Sequence, residues 1–153
     1  MTSTAGFEHY EVSNFARNKA YSMHNSGHWQ GIDYLGIGPG AHGRVRDPNT
    51  GDRNRTFNIR DPKGWMSQCE HGGTGLRRTL LITNEEAKQE FIVLGMRTKL
   101  GVPFDQFREL CGQDLMEFID KEAVETCLEA GLLTKSDDAL APTERGMAVA
   151  DEL

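Results

Sequence analysis

Between Gly36 and Gly43 four glycines and a proline fall within eight residues, reading Gly36-Ile37-Gly38-Pro39-Gly40-Ala41-His42-Gly43. No regular helix or strand runs comfortably through such a stretch, because glycine loses the most backbone freedom in either element and proline withholds an N–H. The chain has to turn here. Asp33 to Ile37, just before the turn, is apolar enough to predict a buried strand. The residues after Gly43 decide the kind of turn. A dinucleotide fingerprint shares the GxGxxG spacing, but it needs a helix to start at the loop and face a pyrophosphate. Gly43 to Ile59 reads instead as a hairpin, with Val45 and Phe57/Ile59 flanking Asp47-Pro48-Asn49-Thr50-Gly51-Asp52, a run of turn formers. The expectation is a tight turn whose glycines let backbone approach backbone closely.

Other elements announce themselves by their ends. Phe7, Tyr10 and Val12 suggest a short strand, and Ser13 to Ser22 a polar loop. His24 to Gly31 suits a short helix capped by Asn25 or Ser26 and anchored by Trp29. Asp61-Pro62 opens a helix around Trp65 and Met66, with Pro62 at its first position, and Gly72 to Gly75 ends it. Thr83-Asn84-Glu85-Glu86 is a capping box, followed by Ala87, Phe91, Leu94 and Gly95 at helical spacing. A second helix is expected over Pro103 to Leu110, stopped near Gly112. A third is expected over Asp114 to Ala130, on a stripe of Leu115, Ile119, Ala123 and Cys127, with Gly131 just past its end. Leu132 to Thr134 and Leu140 to Pro142 read as two short strands. Thr143 caps a last helix running to the chain end.

Charge narrows the partners. Of 153 residues 26% are charged, and the net charge of −6 argues against a nucleic-acid footprint. The third helix, with Asp114, Glu117, Asp120, Glu122, Glu125 and Glu129, would repel phosphate. One basic patch stands out, Arg44, Arg46, Arg53, Arg55 and Arg60, which reads as a solvated hairpin. No apolar run approaches the ~18 residues of a membrane span and no secretory signal opens the chain, so a cytoplasmic protein is expected. The three cysteines, Cys69, Cys111 and Cys127, fit neither a disulfide framework nor a zinc knuckle. Cys111 and Cys127 read as small core residues. His24 and His28 are spaced to share a metal ion from one helical face. Asn25 nevertheless stands where a zincin has its glutamate, and no third ligand lies at a diagnostic distance, which leaves adventitious capture. Cys69 and His71 make a pair of incidental donors, and His42 a hydrogen-bonding residue of the glycine turn.

Three motifs in order carry a resemblance. They are Gly6-Phe7-Glu8-His9-Tyr10-Glu11-Val12-Ser13-Asn14-Phe15-Ala16, then His24-Asn25-Ser26-Gly27-His28-Trp29, then Asp33-Tyr34-Leu35-Gly36 running on through Gly43. Together the chain resembles the C-terminal part of HemW-type proteins, the radical-SAM haem chaperones of the oxygen-independent coproporphyrinogen III oxidase-like family. In that family the runs are GF-x-x-YE[IV]SNFA, HNxxYW and DYxGIGPGAHG. The resemblance implies an α+β fold. Residues 1–80 would be terminal strands and loops of a radical-SAM partial barrel, with residues 7–12 left as an exposed edge. Residues 81–153 would be a helical, winged-helix-like C-terminal domain, closed by Ala141-Pro142-Thr143-Glu144-Arg145-Gly146.

The same resemblance implies haem as ligand. His24 would be the axial ligand to its iron, with Asn25, His28, Trp29, Gly38 and Gly40 as further binding residues. His28 stands where the family has Tyr, either as a second ligand or as a packing replacement. The alternative is that His24 and Asn25 brace the loop by hydrogen bonds. For the basic hairpin, the alternative to a solvated surface is contact with tetrapyrrole propionates. Full-length members also hold a [4Fe–4S] cluster and S-adenosylmethionine through CxxxCxxC. That run is absent here, so no catalysis is expected of this chain alone. Met1 would be a truncation or the start of a broken reading frame. The expected activity is haem delivery to membrane-bound respiratory proteins. The alternatives are a piece of a coproporphyrinogen III oxidase-like enzyme of porphyrin biosynthesis, or an inactive remnant.

Overall fold

The computed structural model describes residues 5–152. Met1, and its reading as a truncation or a start, lies outside the described residues. The chain is a mixed α/β protein that packs as two compact units, one of residues 32–86 and the other joining the residues before 32 to those after 86.

The first unit is built on the hairpin that the turn formers foretold. β1 (Phe7–Glu11) and β2 (Asn14–Arg17) belong to the other unit; here β3 (His42–Arg46) and β4 (Arg53–Asn58) pair antiparallel, Arg44 opposite Arg55 and Val45 opposite Asn54. Asp47 closes the turn, its carboxylate accepting from the N–H of Asn49 at 2.8 Å. β5 (Leu76–Leu81) adds to β4 and gives a three-stranded sheet of order β3-β4-β5. Asp33 to Ile37 does not form the expected buried strand. Tyr34 alone bridges to Arg44, and Leu35 and Ile37 are 75% and 84% exposed. Gly36 nevertheless stays so close to the His42 backbone that a Cβ there would sit 2.3 Å from the His42 carbonyl oxygen, an approach only glycine permits. α2 (Pro62–Gly72) begins as expected, with Asp61 capping through the Gly64 N–H and Pro62 in the first turn.

The capping box is present. Thr83 Oγ1 accepts from the Glu86 N–H at 3.2 Å, and Glu86 Oε2 accepts from the Thr83 N–H at 2.8 Å. These bonds, first the Thr83 backbone N–H and then its hydroxyl, hold the Glu86 carboxyl below the usual carboxylate range. A depressed folded-state pKa means that the cap favours folding above pH ~4.5 and loses that contribution as pH falls through the lowered value. Replacing Thr83→Ala is expected to bring the Glu86 titration part of the way back towards 4.5. A carboxyl-carbon NMR titration of both proteins checks it, and coincident curves would remove the hydroxyl from the account.

In the second unit, which takes α3 (Asn84–Gly95) from Ala87 onward, lies a core of Phe91, Met96, Val102, Phe107, Cys111, Leu115, Val124, Leu133 and Leu140. Cys111 is buried there and Cys127 packs against it, as small core residues do. α4 (Phe104–Cys111) ends at Gly112, in the left-handed region at φ 67°. The single helix expected over Asp114 to Ala130 is two, α5 (Leu115–Phe118) and α6 (Lys121–Glu129). Ile119 is extended between them, and the Asp120 carboxylate restarts the helix by accepting from the Glu122 and Ala123 N–H groups. β7 (Leu133–Lys135) and β8 (Ala139–Pro142) pair as expected, and β6 (Val102–Pro103) joins them in a sheet of order β6-β8-β7.

Thr143 caps α7 (Glu144–Met147), but this helix does not run to the chain end. The chain continues instead in i→i+3 turns, Val149 N–H to the Gly146 carbonyl and Glu152 N–H to the Val149 carbonyl. Ser13 to Ser22 is not all loop, since it holds β2, paired to β1. The β1 strand is thus no bare edge, and Glu11 bridges to Thr98 as well.

Candidate functional site

α1 (Met23–Trp29) carries His24, Asn25, His28 and Trp29 on seven residues. Its cap is Ser22, not Asn25 or Ser26. The Ser22 hydroxyl accepts from the Asn25 N–H at 3.3 Å, while the Ser22 N–H donates to the Tyr10 hydroxyl. The cap falls earlier in the chain because Met23 is already helical. His24 is exposed; Asn25, His28 and Trp29 are half-buried. The His28 and Trp29 rings lie 5.0 Å apart, tilted by 60°. The Arg97 guanidinium sits 5.7 Å from the Trp29 ring centroid.

Beneath α1 lies an apolar cavity of about 140 Å³, lined among others by Tyr10, Tyr21, Trp29, Phe91, Gly95 and Lys99. Tyr10 and Tyr21 stack at 4.6 Å. The Tyr21 hydroxyl donates to Glu8 Oε2 at 2.9 Å, which raises the Tyr21 pKa above its ordinary value. The Trp29 Nε1 is buried and has no hydrogen-bond partner among the described residues. Neither His24 nor His28 lines this cavity. Sequence reasoning missed Tyr10, Tyr21, Lys99 and Arg97, and no spacing in the chain could have joined residues so far apart.

Gly38 and Gly40 belong to the unit of residues 32–86, where they take φ of 102° and 71°. Asn58 pins their turn, its Nδ2 donating to the Gly36 carbonyl at 3.1 Å and the Gly38 carbonyl at 2.9 Å. A strand, not a helix, starts at His42, so no helix N-terminus meets this loop and the dinucleotide reading fails. The His42 ring packs edge-on against Phe57 at 4.7 Å. His71 Nδ1 engages the Ser67 carbonyl at 2.8 Å. Among the described residues no three His, Cys, Asp or Glu side chains gather as a metal site.

A small helical core fronted by a short antiparallel sheet, with a glycine-turn sheet unit beside it in sequence, defines a mixed α/β protein. Residues 82–149 match the model of the HemN C-terminal domain. The solved structure described as "Coproporphyrinogen III oxidase (HemN) from Escherichia coli is a Radical SAM enzyme" aligns over 97% of this chain and 36% of its own, with a TM-score of 0.70 at 14% identity. The mouse (Mus musculus) protein named "Radical S-adenosyl methionine domain-containing protein 1, mitochondrial" is 39% identical over 97% of this chain and 35% of its own length. The protein of Bacillus subtilis named "Heme chaperone HemW" is 31% identical over 97% of this chain and 37% of its own. The chain therefore carries a HemN C-terminal domain and corresponds to the C-terminal part of the HemW-type, coproporphyrinogen III oxidase-like radical SAM family. It spans about a third of the length of the curated relatives it matches.

Proposed function

We propose that this chain is the haem-binding C-terminal part of a HemW-like chaperone, with haem as cargo, His24 as the iron ligand and membrane-bound respiratory proteins as recipients. The observation that carries the reading is α1, which gathers His24, Asn25, His28 and Trp29 and leaves the His24 imidazole exposed. An imidazole nitrogen is a good axial donor to haem iron. Met23, 90% exposed, offers an apolar neighbour. The cavity behind Trp29 is smaller than the roughly 300–1,000 Å³ of ordinary ligand pockets, so a macrocycle would lie on the outer side of the helix. The positive φ of Gly38 and Gly40 gives this family turn its shape, and in this reading they keep a backbone surface open to ligand. Bacterial relatives named as haem chaperones support the reading.

The same proposal takes the helical unit as winged-helix-like and the segment before residue 80 as the end of a partial barrel. The cluster and S-adenosylmethionine would belong to the remainder of a full-length family member. A cytoplasmic location is part of the proposal, and fractionation of the source cells tests it, since the mouse relative carries a mitochondrial name. A second reading, part of a coproporphyrinogen III oxidase-like enzyme, is supported by the fold likeness alone.

Titrating haem into the purified chain is expected to give a saturable one-to-one shift of the Soret band, abolished in His24→Ala. No shift, or the same shift in the variant, would leave His24 a bracing residue and make the chain an inert piece of a larger enzyme.

A further inference from the structure

The stripe Leu115, Ile119, Ala123 and Cys127 has the spacing of a helix face closed on a core. In the structure it closes only in part. The chain is extended at Ile119, between α5 and α6, and all four residues of the stripe line a cavity of about 350 Å³. Ile92 and Met96 of α3 line it with them. Every one of these residues belongs to the second unit, and the cavity shares no lining residue with the smaller one beneath α1.

Native interiors hold few voids larger than a water molecule. This one has room for roughly a dozen water-sized groups, and its volume falls within the roughly 300–1,000 Å³ of ordinary ligand pockets. Small side chains keep it open: Ala123 is exposed on α6 and Cys127, one turn on, is half-buried. The lining is mainly aliphatic. Phe118 adds a ring, but that ring already meets the Lys88 ammonium at 5.1 Å and the Phe107 ring at 6.1 Å. An alkyl chain therefore suits the walls better than a stacked aromatic. Polarity enters at two places. Gln89 is exposed and brings an uncharged amide, whereas the Asp120 carboxylate is taken up in capping α6 through the Glu122 and Ala123 N–H groups. Among the described residues that line the cavity none is a cation, so nothing there answers an anionic end group and Asp120 repels one.

We infer that this cavity binds one free, unbranched alkyl chain, about ten carbons at most, that ends in an uncharged polar group. The chain lies against Ile92, Met96, Ile119 and Ala123, and the end group meets Gln89. The probes are the straight-chain primary alcohols hexanol, octanol and decanol, titrated calorimetrically into the whole chain. One-to-one binding is expected, tighter by roughly four-fold for each added methylene. Decanoate, with a charged end, binds weaker than decanol by on the order of ten-fold. Ala123→Phe fills the cavity and abolishes decanol binding. Gln89→Ala, at an exposed position that folding tolerates, weakens it by roughly five-fold, the order of one neutral hydrogen bond. Bound decanol slows alkylation of Cys127 by N-ethylmaleimide and leaves Cys69, in the first unit, as reactive as before; peptide mass spectrometry reads both. Phosphatidylcholine vesicles, which offer chains only inside a bilayer, leave Cys127 unprotected. Absence of binding, equal affinity for the three alcohols, decanoate binding as tightly as decanol, or unchanged binding in either variant would overturn the inference. So would protection of Cys69 alongside Cys127, or protection of Cys127 by the vesicles, which would make the occupant a bilayer lipid.

Discussion

Replacing Phe107→Ala is expected to cost about 3–5 kcal/mol, a large part of the roughly 5–15 kcal/mol that holds a typical domain together. Phe107 has no exposed surface. Its ring meets Phe91 at 6.0 Å and Phe118 at 6.1 Å, so one truncation removes two aromatic contacts and opens a cavity among side chains from α3, α4 and α5. Little can collapse into that space, because Val102, Leu115 and Leu140 around it are buried in pairings and helices of their own. Urea unfolding followed by far-ultraviolet dichroism should show a lower midpoint at an unchanged slope. Leu110→Ala on the same helix, at a position 52% exposed, is expected to change stability by less than about 0.5 kcal/mol. A Phe107→Ala loss below about 1 kcal/mol would mean that the core is not packed around this ring.

Elements with local end signals are legible in the sequence. The Asp61-Pro62 opening of α2, the Thr83–Glu86 box, the Gly112 stop and the Thr143 cap each rest on a bond between residues close together in the chain, so the chain advertises them. Elements made by pairing are not. β5 is exposed along its whole length and shows no alternation; it is a strand because β4 offers it a ladder. β6 is two residues long and exists only against β8. The stripe Leu115, Ile119, Ala123, Cys127 has the period of one helix, yet the Asp120 cap outweighs continuity at Ile119. β2 is hidden because the Glu11 carboxylate, fully buried, accepts from the Ser13 N–H and from Asn14 within an otherwise polar stretch.

The candidate site divides in the same way. That His24, Asn25, His28 and Trp29 share one helix can be read from their spacing. The surroundings of Trp29 cannot: the Tyr10–Tyr21 stack and Arg97 arrive from strands and turns elsewhere in the chain. The basic patch needs register, since only pairing shows that Arg78 joins the hairpin arginines and that Arg60 does not. Motifs name the residues; the ladder decides which of them look the same way.

Replacing Gly101→Ala is expected to be nearly as damaging as losing Phe107, for a different reason. Gly101 sits at φ 67°, where an alanine loses roughly 1–2 kcal/mol to the crowding of its Cβ by the backbone. Its surroundings add more. A Cβ there would stand 2.2 Å from the Leu140 carbonyl oxygen and 2.4 Å from the Ala141 Cα, both backbone atoms of β8 that no side-chain rotation can move. Relief therefore requires β6 to draw away from β8, undoing the Val102–Leu140 pairing that seats two of the most buried core residues. Gly112→Ala is the control, because Gly112 has the same φ of 67° and nothing within 4 Å of its would-be Cβ. Its expected cost is the conformational part alone, roughly 1–2 kcal/mol. Thermal melts of both variants separate the two contributions: a Gly101→Ala loss no larger than that of Gly112→Ala would mean that β8 yields freely, and that the contact between the residue 101 turn and β8 does not hold this unit together.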